Sequence, residues 1–169
     1  MLLSLILISS LSFTVMPSHS NQCDFLDRDA IRTMTPARLA VDFLYMRAQF
    51  CGSVSDYDAA IADLNTAIDL APDSPGLYLR RGQMYLGLYE WDQSLQDYNR
   101  AIELAPAYAD AYFNRGVLYY SILQTGQALR EDALADFRQY LELAPDGEHT
   151  GQAAEYVAKI EAELTVAGE

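Results

Sequence analysis

Apolar residues return every three or four positions along most of this chain, a spacing that places them on one side of an α-helix. Ala60, Leu64, Ala67 and Ile68, for example, share a face. Between such stretches stand residues that start or stop helices. Ser74 before Pro75 reads as an N-cap followed by proline at the first helical position, and Thr35 before Pro36 does the same. Pro72, Pro106 and Pro145 end the helices before them. The pattern predicts an all-α fold with helices over 36–52, 56–70, 75–88, 92–105, 109–123, 127–144 and 150–165. The last sets Ala154, Val157, Ile160 and Leu164 on one side and Glu155, Lys159, Glu161 and Glu163 largely away from it, as a solvated lid requires.

Shifting the chain against itself shows why the helices come in pairs. At an offset of 34, Ala67-Ile68-Asp69-Leu70-Ala71-Pro72 falls on Ala101-Ile102-Glu103-Leu104-Ala105-Pro106. Tyr78, Gly82 and Tyr85 fall on Tyr112, Gly116 and Tyr119, Tyr57 on Trp91, and Arg47 on Arg81 and then Arg115. A third ending, Leu141 to Pro145, comes 39 residues after the second, so the last unit carries five extra residues. These extra residues predict a turn at Gln124-Thr125-Gly126 and about one additional turn of helix after it.

On these residues the chain resembles three tandem tetratricopeptide-repeat (TPR) units over roughly Val41 to Pro145. Tyr78, Gly82, Tyr85, Ser94, Tyr98, Ala101 and Pro106 match the family's alternation of large and small positions. The first unit departs from it at Leu44, Ala48 and Cys51, and the third after Tyr119 and at Tyr140. The resemblance implies a right-handed superhelix of helix-turn-helix pairs. Its units span 36–72, 73–106 and 107–145, preceded by a segment 21–35 and closed by a capping helix and tail over 146–169. The small residues Ala48, Gly82 and Gly116 have a physical role of their own, since they let one helix backbone approach its neighbour.

The arginines at the 34-residue offset have a matching aspartate series, Asp63, Asp97 and Asp136. We expect Arg47, Arg81 and Arg115 to meet these carboxylates at helix interfaces, fixing register more than adding stability, because desolvation offsets much of a buried pair's attraction. Solvent-facing charges are the alternative.

Residues 1–20 contain no Asp, Glu, Lys or Arg, and Leu2 to Met16 is almost wholly apolar or hydroxyl-bearing. An apolar run this short, followed by Ser18-His19-Ser20, reads as a signal peptide cleaved after Ser20, giving an exported, periplasmic or secreted protein. Uncleaved, residues 2–16 would act as a membrane anchor. The chain has two cysteines, Cys23 and Cys51, and in an exported protein the pair permits a disulfide. A small core residue at Cys51 is the other reading.

A formal charge of −13, with Lys159 the only lysine, opposes binding of nucleic acid or anionic lipid, which need clustered cations. No phosphate-binding or nucleophile motif occurs. His149, the only histidine after residue 20, reads as an exposed turn residue, so neither catalysis, a metal site nor a cofactor is expected. Function is expected in the concave face that the resemblance assigns to the first helices of the units. Its candidate residues are Tyr45, Gln49, Leu79, Arg80, Gln83, Leu86, Phe113, Asn114, Val117 and Tyr120. This lining lacks the lysine with which some family members clamp a terminal carboxylate, and favours a partner protein or an extended peptide with alternating apolar side chains. Tyr45, Leu79 and Phe113 packed against the next unit is the structural alternative. A self-associating module using an uncovered first helix, or a small subunit of an envelope complex, is the competing function.

Overall fold

The computed structural model describes residues 31–33, 36–122 and 127–167. Among them are seven α-helices and no strand: α1 (Ala37–Ser53), α2 (Tyr57–Leu70), α3 (Pro75–Gly87), α4 (Trp91–Leu104), α5 (Ala109–Ile122), α6 (Gln127–Leu143) and α7 (Thr150–Ala167). Each predicted span is met within two residues at either end. α1–α2, α3–α4 and α5–α6 form the closest pairs, and α2–α3, α4–α5 and α6–α7 join one pair to the next. The result is an all-helical solenoid.

Local chemistry explains most boundaries. Asp56 caps α2 by accepting the Ala59 N–H at 3.3 Å. Ser74 takes the N-cap position of α3 but makes no side-chain capping bond, so Pro75 at the first position, with its fixed φ, carries that start. α1 begins one residue later than the proline signal implied: Pro36 is itself the N-cap, with φ −76° and ψ 151°, and Thr35 lies outside the described residues. Ser55 and Tyr89, 34 positions apart, both stand at φ near +60° (63° and 62°), reversing the chain between the two helices of their units. The predicted turn at Gln124-Thr125-Gly126 lies outside the described residues. α6 runs for 17 residues against 14 in α4.

Three apolar clusters fill the solenoid. The first gathers Ile31, Ala40, Leu44, Ala48, Cys51, Leu64 and Ala67; the second, Leu79, Tyr98, Ala101 and Leu118; the third, Phe113, Phe137, Tyr140, Ala153 and Ile160. Gly82 is what lets α3 approach α4: a Cβ there would lie 2.6 Å from Tyr98 Cε1, whereas one on Gly116 would lie 3.1 Å from Phe137. Tyr98 is fully buried, and among the described residues its Oη meets no well-formed hydrogen-bond partner, while the neighbouring Ser94 hydroxyl donates to the Gly82 carbonyl at 2.9 Å. Burial pushes the Tyr98 phenol up to about 12.

The capping helix differs from expectation in its rotation. Ala153, not Ala154, is fully buried with Ile160, and Tyr156, Val157 and Leu164 are partly buried around them. Lys159 and Glu163 do not simply face away, since both reach Tyr120 of α5. His149 is also not a bare turn residue. Its ring stacks on Phe113 at 4.2 Å and its backbone N–H donates to Tyr140 Oη at 2.9 Å.

Candidate functional site

The first helices α1, α3 and α5 present side chains that join into one hydrogen-bonded line. Arg80 on α3 lies over the Tyr45 ring of α1, 5.5 Å from its centroid, and its Nη2 donates to Tyr45 Oη at 3.3 Å. Its Nη1 donates to Gln83 Oε1 at 3.0 Å. Gln83 Nε2 donates onward to Asn114 Oδ1 on α5 at 3.1 Å, and Asn114 Nδ2 donates to the Asp110 carbonyl at 2.7 Å. All four side chains are half-buried. Tyr108 borders this field: burial raises its phenol most, Asp110 and Tyr45 raise it further, and Arg80 draws it down. Four sequence candidates therefore fall on one line, and Gln49 is exposed on the same helix as Tyr45.

Two candidates leave the surface. Leu79 is 7% exposed and Phe113 6% exposed. Leu79 packs in the second cluster, and Phe113 sits between Phe137, Tyr140 and His149 at centroid distances of 5.8, 5.3 and 4.2 Å. Both are interior residues rather than groove lining. The cause is helix rotation: a helical residue one position from the groove line points about 100° away from it. Leu86 is half-buried against the second cluster and Val117 against the third, so each shows only an edge.

Tyr120 closes the far end. Its Oη bonds Glu163 Oε1 at 3.3 Å, Lys159 Nζ lies 5.2 Å from its ring centroid, and Tyr156 lies 5.1 Å away. With Arg130, which meets Glu163 at 3.3 Å, these side chains line a pocket of about 220 Å³. Tyr120 is the leading cause that raises the Lys159 ammonium above its ordinary value.

Beneath the face run the ion pairs. Arg47 meets Asp63 through two bonds, Nε to Oδ2 at 2.6 Å and Nη2 to Oδ1, with side chains 3% and 1% exposed. Arg81 grips Asp97 at 2.8 and 2.6 Å, and Arg115 grips Asp136 at 2.8 and 2.7 Å. Each pair joins the two helices of one unit. Burial raises the Asp97 and Asp136 carboxyls further than their arginines lower them, which agrees with a role in register rather than net stability.

Two residues missed in the sequence complete this arrangement. Arg81 Nη1 also donates to Asn65 Oδ1 at 2.6 Å, and Arg115 Nη1 to Asn99 Oδ1 at 2.6 Å, in each case on the second helix of the preceding unit. Asn65 and Asn99 stand at the 34-residue offset, so the signal was present. At the equivalent place of the third unit stands Arg138, which instead meets Glu161 of α7 at 2.6 Å.

Cys51 is fully buried and disulfide-bonded, while Cys23 lies outside the described residues. Among the described residues no three His, Cys, Asp or Glu side chains gather as metal ligands. No helix among them is long and apolar enough to cross a membrane, and residues 2–16 lie outside them.

A family model described as "Tetratricopeptide repeat" matches residues 41–74, and one described as "TPR repeat" matches residues 90–122. No curated protein matches the chain. Among solved structures, the first TPR of Spaghetti (RPAP3) bound to the HSP90 peptide SRMEEVD is similar at 26% identity, covering 74% of this chain and 93% of that one, with a TM-score of 0.65. The first TPR domain of human RPAP3 is similar at 25% identity, covering 75% and 93%, also with a TM-score of 0.65. The Sgt2 TPR domain from Aspergillus fumigatus shares the fold at 16% identity, covering 76% and 81%, with a TM-score of 0.66. With paired helices at a 34-residue offset, matched by two profiles of one family and by its solved domains, the chain belongs to the tetratricopeptide-repeat family as three tandem units.

Proposed function

We propose that the chain is a non-catalytic module that holds a partner protein or extended peptide along the face of α1, α3 and α5. The observation that carries this reading is the line Tyr45–Arg80–Gln83–Asn114, which spans all three first helices. The Gln83 and Asn114 amides hydrogen-bond each other between α3 and α5. The same donors and acceptors match the backbone of an extended segment, while Tyr45 and Tyr120 offer flat apolar contact at the two ends. The burial of Leu79 and Phe113 shifts recognition away from alternating apolar side chains and toward backbone amides and an acidic or polar group at Arg80. Solved relatives with peptides bound, the RPAP3 domains with HSP90 and HSP70 peptides, lend support at the level of a peptide-binding module.

We also propose that the chain works outside the cytoplasm, with residues 1–20 as its leader. A disulfide-bonded Cys51 supports this, because oxidising compartments preserve such bonds. Peptides selected from a random library on the purified protein, titrated by fluorescence anisotropy, test the groove. Arg80→Ala and Asn114→Ala should each weaken the selected peptides about tenfold, the loss of about 1.4 kcal/mol expected for a hydrogen-bonding group in a half-buried site. Peptides that bind both variants as tightly as the native chain would place recognition elsewhere.

A further inference from the structure

The turn between α3 and α4 carries aromatic and acidic side chains that the backbone does not require. Tyr89 is 74% exposed, and its φ of 62° is matched by Ser55, at 63°, in the same turn of the first unit. A small residue therefore serves the reversal as well as a large one, and the Tyr89 ring is not explained by the fold. Two further rings stand at this edge. Trp91, the only tryptophan of the chain, meets Tyr89 edge to face at 5.2 Å and 87°. Tyr57, at the 34-residue offset from Trp91, lies against Gly87 at the end of α3, where an added Cβ would stand 2.6 Å from its ring. Trp91 and Tyr57 are both half-buried.

The charge around these rings has one sign. Asp56 and Asp58 flank Tyr57, and Glu90 and Asp92 flank Trp91, so an acid–aromatic–acid triplet recurs with the repeat. Asp56 caps α2, whereas Asp58, Glu90 and Asp92 are exposed. No Lys or Arg occurs over residues 48–79 or 82–99, and among the described residues these three carboxylates take part in no ion pair.

Elsewhere the chain itself shows what fits such a setting. Arg80 lies over Tyr45, Arg81 over Tyr78 and Arg115 over Tyr112, at 5.5, 5.6 and 5.7 Å from the ring centroids. An indole attracts a cation more strongly than a phenol does, and carboxylates on both sides of it add Coulombic attraction. Rings at 87° form a corner rather than the flat platform on which a sugar lies. A second copy of this chain, at a net charge of −13, would bring repulsion to the same place.

We infer that the α3–α4 edge is a docking surface for a partner polypeptide bearing Arg or Lys side chains, with one cation seated on the Tyr89–Trp91 corner between Glu90 and Asp92. It shares no residue with the line Tyr45–Arg80–Gln83–Asn114 and does not depend on the groove reading.

Trp91 emission reports on this edge alone, since the chain has no other indole. Titrating the purified chain with a short alternating Gly-Arg peptide should give a saturable change in that emission, weaker as salt is raised. Tyr89→Ser, which installs the residue of the first unit's turn, and the double variant Glu90→Gln/Asp92→Asn should each weaken binding about tenfold, with helical circular dichroism unchanged. Asp73→Asn/Glu142→Gln removes the same charge from exposed positions elsewhere and should leave the affinity as it is. A silent Trp91, a Tyr89→Ser variant that binds as tightly as the native chain, or equal weakening by the two neutralised pairs overturns the inference. So does a response to maltohexaose or to a Gly-Glu peptide as strong as that to Gly-Arg, or emission that changes with protein concentration alone, which would give the edge to a sugar, to an acidic segment or to a second copy. Peptides selected for the groove should bind Tyr89→Ser as tightly as the native chain; a loss there would make the edge part of the groove and overturn the inference of a second surface.

Discussion

The two ends of this solenoid meet the same problem with different chemistry. A helix pair cannot cover its own apolar face, so the terminal pairs of any stack need something beyond them. At the C-terminal end α7 provides it. Ala153 and Ile160 disappear into the third cluster, Tyr156 stacks on Phe137 at 4.7 Å, and Arg138 reaches Glu161. At the N-terminal end the buried side of α1 is as dry as any part of the molecule, with Arg47 and Asp63 4% and 1% exposed, yet its outer side shows four large apolar residues. The difference teaches that covering a core and covering a helix are separate requirements. The N-terminal end satisfies the first through the Arg47–Asp63 pair and the apolar cluster around Leu44.

Mutations at the two ends sharpen that contrast. The largest effect is expected at the N-terminal end, where Arg47→Ala takes the guanidinium from the buried Asp63 carboxylate and should cost about 3–5 kcal/mol. Arg81→Ala, whose pair is 20% and 6% exposed, should cost about 1–3 kcal/mol, because water reaches the carboxylate left behind. Urea unfolding compares the two, and a cost near zero at Arg81 would show that the bridges carry no structural weight. At the other end Ile160→Ala should cost about 2–4 kcal/mol, with loss of hydrogen-exchange protection beginning in α7 and α6.

Smaller effects separate the two glycine contacts. Gly82→Ala drives a methyl into Tyr98 and should destabilise by about 1–2 kcal/mol after the helix-propensity gain is counted. Gly116→Ala, with 3.1 Å to Phe137, should lie within about 1 kcal/mol of neutral. The smallest change concerns Tyr98. Its neutral form is favoured in the folded chain, so its contribution is intact below pH 10 and lost as pH rises from 10 through about 12, where the unfolded phenol has ionised first. Tyr98→Phe should be near neutral at pH 7 and should remove that part of the alkaline loss, as read by thermal melts between pH 7 and 11.

Helix spans and pairing were legible because both rest on periodicity. Apolar spacing of three or four marks a helix, and the 34-residue offset marks a unit, whatever surrounds them. The arginine–aspartate pairs were legible for the same reason. Leu79 and Phe113 were not, because which side of α3 or α5 meets the neighbouring unit depends on the rotation between units, and no residue reports that rotation by itself. Ala154 failed likewise, since Ala153 and Ala154 are chemically identical and only the docking of α7 chooses between them. Asn65 and Asn99 carried a signal in the repeat itself, hidden by treating the arginines as having one partner each.

That second partner has a consequence for shape. Arg81 and Arg115 each spread a planar guanidinium between the aspartate of their own unit and the asparagine of the unit before. The fork is rigid, so two units that turn against one another by more than the slack of a hydrogen bond lose both contacts together. The pitch of the solenoid is therefore locked from within by repeated staples. A ligand on the proposed face of α1, α3 and α5 would meet a curve already set, and would spend little of its binding energy on bending it.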